Sequence, residues 1–414
     1  MSIRFLTLIA ASLVIHLMLA FLPVAFWLDL DTFKSWTFCA LTNGIWDFYG
    51  KTTCDYPPAT IYILWFWGKL YQWFLDPALN NLNTMRIVVW LKLLPILMDT
   101  FCSLTIFIIV KKLFDEKSAR KAALLYAFNP AVIFVSSVWG QLDSLLIFGL
   151  LVSSYLLLGK KYVQFCLMAA LTILIKPQGI FLIPLFLIVC CQKPNLRTLA
   201  QLFPGVVCGL VLAWAMILPM VPNKVWDLTI LFQPYTFFYN KMHATGSSYS
   251  LSTISAFNLW TFSGAWLPDS RQFLGTPHWL IGIGIVAMVT LGLWSYFKRQ
   301  GDEITPAQFY LSAAITFSAI FLFATRMHER YLLPALAFLA VTSGYYRKTT
   351  IIYVVYTVIS LMNILVSFAP FYPPMEGAAA LMDGASKLFV LVSFGLFFVS
   401  ITSLRQTTPE PGTE

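Results

Sequence analysis

Five short polar clusters interrupt an otherwise apolar chain: Trp27-Leu28-Asp29-Leu30-Asp31, Asp55-Tyr56-Pro57-Pro58, Trp139-Gly140-Gln141-Leu142-Asp143, Lys176-Pro177-Gln178 and Arg326-Met327-His328-Glu329-Arg330. Each carries residue types suited to chemistry. Asp29 and Asp31 follow the first apolar run directly. A partly desolvated carboxylate there suits a general base that takes a proton from a hydroxyl; the plainer reading is a pair of solvated loop acids, with Asp31 capping a helix over Thr32–Leu41. Two prolines stiffen the chain after Asp55 and Tyr56 and pin both residues at the mouth of the next segment, or simply make a turn. Trp139, Gln141 and Asp143 combine an indole for stacking with an amide and a carboxylate for hydroxyl groups. The alternative is an anchoring tryptophan beside a capping aspartate. Lys176 breaks an apolar run together with Pro177 and Gly179, and with Gln178 it can meet an anionic group as a point charge or snorkel to the headgroups. Arg326 and Arg330, with His328 and Glu329 between them, suit phosphate oxygens, which guanidinium binds bidentately; ion pairing with Glu329 or lipid is the competitor.

The elements that must position these clusters are membrane spans. Of 414 residues, 59% are hydrophobic and 11% charged, with a mean hydropathy of +0.77. A soluble chain carries roughly 25% charged residues, so a water-soluble fold is excluded. The net charge of +9 is accounted for by lysine and arginine retained in cytoplasmic loops rather than by nucleic acid. The segment before Trp27 lacks a small-x-small cleavage site and is expected to stay as a first span. His16 within it reads as a buried structural histidine.

A span needs about 20 apolar residues. The expected spans are 4–28, 87–110, 121–138, 143–159, 162–175, 180–192, 199–219, 277–297, 306–324, 331–346, 350–368 and 385–404. The apolar stretch 59–75, rich in Trp65, Trp67, Tyr71 and Trp73, is expected to lie on or dip into the outer leaflet. If it crossed, Lys111, Lys112, Lys117, Arg120, Lys121 and every later basic loop would be inverted. Residues 29–85 then form one outer loop and 220–276 a second, and all five clusters fall on the face opposite the basic loops. Intramembrane and membrane-edge charges are costly, so their one-sided placement points to a reaction site or substrate path. The expected architecture is therefore all-α, a bundle of about 12 spans, with residues 1–404 forming one membrane domain and 405–414 a polar, disordered tail. Lys92 and Asp99, seven residues apart, are expected on one helical face as an internal pair, or with Asp99 facing the cavity. Cys39 and Cys54 share the first outer loop, where a disulfide is permitted but not dictated. The other five cysteines lie in apolar runs, and no zinc pattern, Walker loop or dinucleotide fingerprint is present.

Taken in order, the strings DLDTFKSW (Asp29–Trp36), Phe48-Tyr49 with Cys54–Pro58, Phe128-Asn129-Pro130-Ala131, Trp139–Ser144, Ile175–Gln178, Ser255–Trp260 (SAFNLW) and TRMHERYLLP (Thr325–Pro334) resemble the bacterial integral-membrane glycosyltransferases of the GT-C class. The resemblance is to predicted mannosyltransferases related to the second mannosyltransferase of GPI-anchor synthesis. It implies an inverting transfer of a hexose, mannose foremost, from a polyprenyl-phosphate donor on the outer face of a bacterial plasma membrane, to an acceptor hydroxyl it does not specify. It implies that Asp29, seven residues before Trp36, is the catalytic base, with Asp31 as its understudy. It further implies that Asp55, Tyr56, Trp139, Gln141, Asp143, Lys176, Gln178, Asn258, Arg326, His328, Glu329 and Arg330 bind substrate. No cofactor is required on this reading, and a divalent metal stays open. The reading from another class is a transporter or flippase for a lipid-linked sugar. A carrier should show polar groups at mid-depth in paired broken helices, and no internal repeat is apparent.

Overall fold

The computed structural model describes residues 3–80, 84–192, 196–301, 303–371 and 384–404; the tail 405–414 lies outside them. Its helices are α1 (Ile3–Ala20), α2 (Trp27–Asn43), α3 (Phe48–Lys51), α4 (Pro58–Phe74), α5 (Met85–Leu113), α6 (Glu116–Ala127), α7 (Pro130–Ile133), α8 (Asp143–Leu158), α9 (Tyr162–Ile175), α10 (Ile183–Cys191), α11 (Leu196–Ile217), α12 (Gln233–Ser248), α13 (His278–Gln300), α14 (Pro306–Phe323), α15 (Leu333–Ser343), α16 (Arg347–Phe368) and α17 (Ser386–Ser403). A two-stranded hairpin, β1 (Gln272–Phe273) and β2 (Thr276–Pro277), lies in the long loop before α13. The protein is an all-α, multi-pass membrane bundle. Among the described residues seven helices are long and apolar enough to cross a membrane, and α6 with the bent segment Pro130–Trp139 makes an eighth. The other four expected spans are apolar helices of 10–17 residues, shortened where proline or a polar cluster cuts the run.

Two sequence expectations, on the first span and on Lys92 with Asp99, are corrected here, and the open Cys39–Cys54 pairing is resolved. The first span does not run to residue 28: the chain turns at Pro23, and α2 starts at Trp27. Asp31 therefore caps nothing; it lies inside α2. Cys39 and Cys54 are both free and buried. Lys92 and Asp99 do not pair either, because seven residues of helix separate them by about 10.5 Å of rise. Lys92 Nζ instead donates to the Ala20 and Val24 carbonyls, 3.5 and 3.0 Å away, satisfying one carbonyl that the end of α1 leaves open and one in the turn that follows.

Burial sorts the bundle into layers. A helix that is apolar all round belongs in a core, and α14 has 89% of its span buried while every residue of α15 is buried. Helices α11 and α13, 17% buried each, turn their apolar surfaces outward, as lipid-facing helices do. The turns divide into two ends. At one, Phe114 stacks on Tyr345 at 4.4 Å, Lys121 reaches Thr350, Lys160 lies 3.8 Å from Glu303, and Glu116 holds Lys111 and Arg120. This is the basic end. At the other, Phe26 N donates to Trp139 O (3.4 Å), Thr60 to Ile175 O (2.6 Å), and Ile254 N to Met327 O (3.0 Å), which gathers all five polar clusters.

Helix α4 begins and ends at the polar end. Its first turn bonds Ile175, Arg86 Nη1 donates to Leu75 O just past its last turn, and Trp67 and Trp90 stack at 4.8 Å while exchanging indole–carbonyl bonds of 2.8 and 3.0 Å. A cysteine placed at Ala78 is therefore expected to react with a membrane-impermeant maleimide from the face opposite Lys111 and Lys160. Labelling of Ala78→Cys from the same face as those lysines would mean that α4 crosses the membrane.

Candidate active site

The site is assembled where chain breaks meet. After the turn at Pro23, α2 carries Asp29 in its first turn, where a carboxylate suits the positive end of the helix dipole. Phe26, just before it, stacks on Trp139 at 4.4 Å. Trp139 closes a π-helical turn, Phe134–Trp139, and Gly140 follows at φ +90°. A Cβ there would sit 2.8 Å from Leu30 of α2, so the close approach of the two segments requires glycine. From this turn Trp139 Nε1 and Gln141 Nε2 both donate to Asp29 Oδ2, at 2.7 and 2.5 Å. The other carboxylate oxygen takes no hydrogen bond among the described residues, and Asp29 is only partly buried.

Behind Asp29 the polar groups interlock. Gln141 Oε1 accepts from Tyr56 Oη (3.2 Å), from Leu142 N (3.2 Å) and from Lys176 Nζ (3.4 Å). Lys176, placed by the break after α9, also donates to Asp143 Oδ1 at 2.8 Å and lies 5.3 Å from the Tyr56 ring. Asp143 opens α8. Arg330 Nε approaches its other oxygen to 3.3 Å, near enough to pair though not aligned as a hydrogen bond. Arg330 Nη1 donates to Glu329 Oε1 at 2.5 Å, and its guanidinium lies 5.6 Å from the Trp139 ring. Two buried carboxylates, Asp143 and Glu329, thus face two buried cations, Lys176 and Arg330. Burial raises the Glu329 carboxyl, but Arg330, and His328 at 3.8 Å from its other oxygen, outweigh it and hold it at about 2. Burial opposes the charge on Arg330 too, yet Glu329, Asp143 and Asp29 raise its pKa well above the usual value. Beside Asp143 lies a small cavity with room for about one water-sized occupant, lined by Gln178, Tyr331 and Met327 and by apolar Phe181, Phe317 and Ile320.

The remaining expected residues stand apart. Asp31, two residues on from Asp29 and so about 200° round the helix, is exposed and pairs with Lys34 at 2.7 Å. Asn258 caps a short 3-10 turn by accepting from Trp260 N, and donates to Ala324 O; it steadies the loop that carries the arginines. Arg326, at φ +64°, is turned away from Arg330. Its Nε donates to Asp269 (2.7 Å) and its Nη1 to Gly246 O (2.9 Å), with 38% of the side chain still exposed. Asp55 accepts from Tyr249 Oη at 3.4 Å, and the Tyr249 ring meets His328 edge-on at 5.6 Å. Residues 241–249 are too loosely spaced to signal anything in sequence. Only the fold brings Tyr249 across to bridge the Asp55 cluster and the last one. Tyr331 was legible only as the neighbour of Arg330. Among the described residues no three of His, Cys, Asp and Glu form a metal-ligand set.

No family model and no curated protein matches the chain. Among solved structures it is similar to the archaeal oligosaccharyltransferase AglB from Archaeoglobus fulgidus, determined in complex with an inhibitory peptide and a dolichol-phosphate. Identity is 12% and the TM-score 0.48, with all of this chain and 56% of that one covered. The chain spans little more than half of that protein.

Proposed function

We propose that the protein is a GT-C-class glycosyltransferase that moves a hexose, mannose foremost, from a polyprenyl-phosphate to an acceptor hydroxyl on the non-cytoplasmic face of a bacterial plasma membrane. The observation that carries this reading is Asp29. One carboxylate oxygen is fixed by two N–H donors while the other is left open at a partly exposed surface, the arrangement a general base requires. In the proposed step the open oxygen takes the acceptor's proton as the hydroxyl attacks the anomeric carbon. The bond to the donor's phosphate oxygen breaks with inversion, and that oxygen keeps the electron pair. Preorganised positive groups lower the cost of such developing charge. Arg330 and Lys176 spend much of theirs on Asp143 and Glu329, which leaves the exposed part of Arg326 and His328 as the groups facing an anionic donor. The basic end supports the orientation, because lysine and arginine hold loops in the cytoplasm. One membrane domain over residues 1–404 fits the same reading.

Purified protein in detergent, given radiolabelled polyprenyl-phosphate-mannose and, separately, the glucose donor, is expected to consume one of them in the presence of membrane extract, and the same assay with EDTA reads out metal dependence. A flippase would consume neither, and that result would end the enzyme reading. Trp139→Phe keeps the stack with Phe26 but removes one of the two donors to Asp29. Losing a hydrogen bond to a charged group costs about 1.5–3 kcal/mol, so transfer is expected to fall roughly tenfold or more. Unchanged turnover in that variant would show that the aim of Asp29 does not depend on the indole.

A further inference from the structure

A second polar site lies inside the membrane bundle, away from Asp29. Asp99 sits at the midpoint of α5, 2% exposed. Its Oδ1 accepts from Ser144 Oγ at 2.6 Å and Tyr126 Oη at 3.2 Å, while Oδ2 is buried with no hydrogen-bond partner among the described residues. Asp99 lines a cavity with Ser12, His16, Thr100 and Ser103, with room for about one water-sized occupant. A hydroxyl has one proton and two lone pairs. Ser12 gives its proton to Ala127 O (2.5 Å), Ser103 to Ala123 O (2.9 Å) and Thr100 to Ile96 O (3.3 Å), so the lone pairs of all three oxygens remain available as acceptors. The Ser136 and Ser137 hydroxyls approach His16 Nδ1 at 3.2 and 2.8 Å. Lys92, on the same helix, is engaged with the Ala20 and Val24 carbonyls, and no salt bridge reaches Asp99 among the described residues. The result is a cavity in which three hydroxyls and the His16 imidazole surround one buried carboxylate that no lysine or arginine balances, where charge is expensive.

We propose that this cavity binds a single monovalent metal cation, Na+ in the first instance, through Asp99 Oδ2 and the hydroxyl oxygens of Ser12, Thr100 and Ser103. One carboxylate neutralises one positive charge. A divalent ion would leave an uncompensated charge in apolar surroundings, and hard alkali cations take oxygen ligands of this kind. Ser144, which holds the other oxygen of Asp99, adjoins Asp143 at the start of α8, so the cation also steadies the helix that presents Asp143 to Lys176 and Arg330. This cation site does not rest on the proposed transfer reaction.

The test is thermal denaturation of the full chain in detergent, in NaCl against choline chloride at equal ionic strength, together with equilibrium binding of radioactive Na+. The wild type is expected to gain about 3 °C or more at saturating Na+ and to bind one Na+ per chain. Asp99→Asn should lose both responses, and Ser103→Ala should weaken Na+ affinity about tenfold. Identical melting in the two salts with no bound Na+ would overturn the proposal and mean that a proton neutralises Asp99. Retained binding in Asp99→Asn, or unchanged affinity in Ser103→Ala, would overturn the ligand set. Should Asp99→Asn fail to fold, wild-type binding and Ser103→Ala decide.

Discussion

Asp29→Asn is expected to give a folded, membrane-inserted protein that still binds its lipid donor and transfers almost no sugar, with the rate down about 10²–10⁴-fold. The hydrogen bonds of the parent explain why the lesion should be confined to chemistry. Trp139 Nε1 and Gln141 Nε2 both need an acceptor, so the asparagine presents its carbonyl oxygen to them. Its NH2 group then stands where the open carboxylate oxygen stood, a donor in place of a proton acceptor. Asp31→Asn is the control. That side chain is exposed and paired with Lys34, and exposed pairs contribute little, so transfer should hardly change. Single-turnover assays beside donor-binding measurements separate the two. Exchanged phenotypes would make Asp31 the base; full activity in both variants would move the search to Asp55 and Asp143.

Arg330→Ala should produce the largest loss of stability. The guanidinium stands between Glu329 and Asp143, all three buried. Removing one partner from a buried pair leaves an uncompensated charge and typically costs about 3–5 kcal/mol. Arg330→Lys should rescue only part, because an ammonium cannot reach both carboxylates in the planar geometry of a guanidinium. Arg326→Ala, by contrast, removes a half-exposed group and should cost less stability while weakening donor binding. Melting in detergent with titration of a polyprenyl phosphate measures both. Acid adds a check on the same pair. The Glu329 carboxyl is held at about 2 against an ordinary value of 4.5. Its contribution is therefore fully present above pH 4.5 and fades as the pH falls toward 2, and Arg330→Ala should flatten that part of the stability curve. If Arg330→Ala melts like the parent at neutral pH, the Glu329–Arg330–Asp143 cluster is not what holds this end together.

The spans were legible because burial in lipid demands long apolar runs, and the basic loops fixed how those runs alternate. Proline and glycine announced the breaks at 57–58 and 176–179. The joining of Asp29 to Trp139 and Gln141 was not legible, since those residues are more than a hundred positions apart and meet only through packing of α1 and α2 against the 134–143 turn. The separation of Asp29 from Asp31 was hidden for a local reason: once α2 begins at Trp27, two residues along the chain become opposite faces of a helix. Likewise Arg326 and Arg330 read as one cluster on the page. A left-handed backbone at Arg326 and the buried Asp269 send them to different partners, and nothing in the spacing signals a carboxylate 57 residues away.

Gly140 makes no polar contact through a side chain, yet the direction in which Asp29 faces depends on it. Any side chain at this position would need a left-handed backbone and would press into Leu30, pushing α2 away from the turn that supplies both donors to Asp29. A survey that replaced only polar residues would pass over it. In a lineage that kept this chemistry, the glycine would be under as tight a constraint as the polar residues it positions.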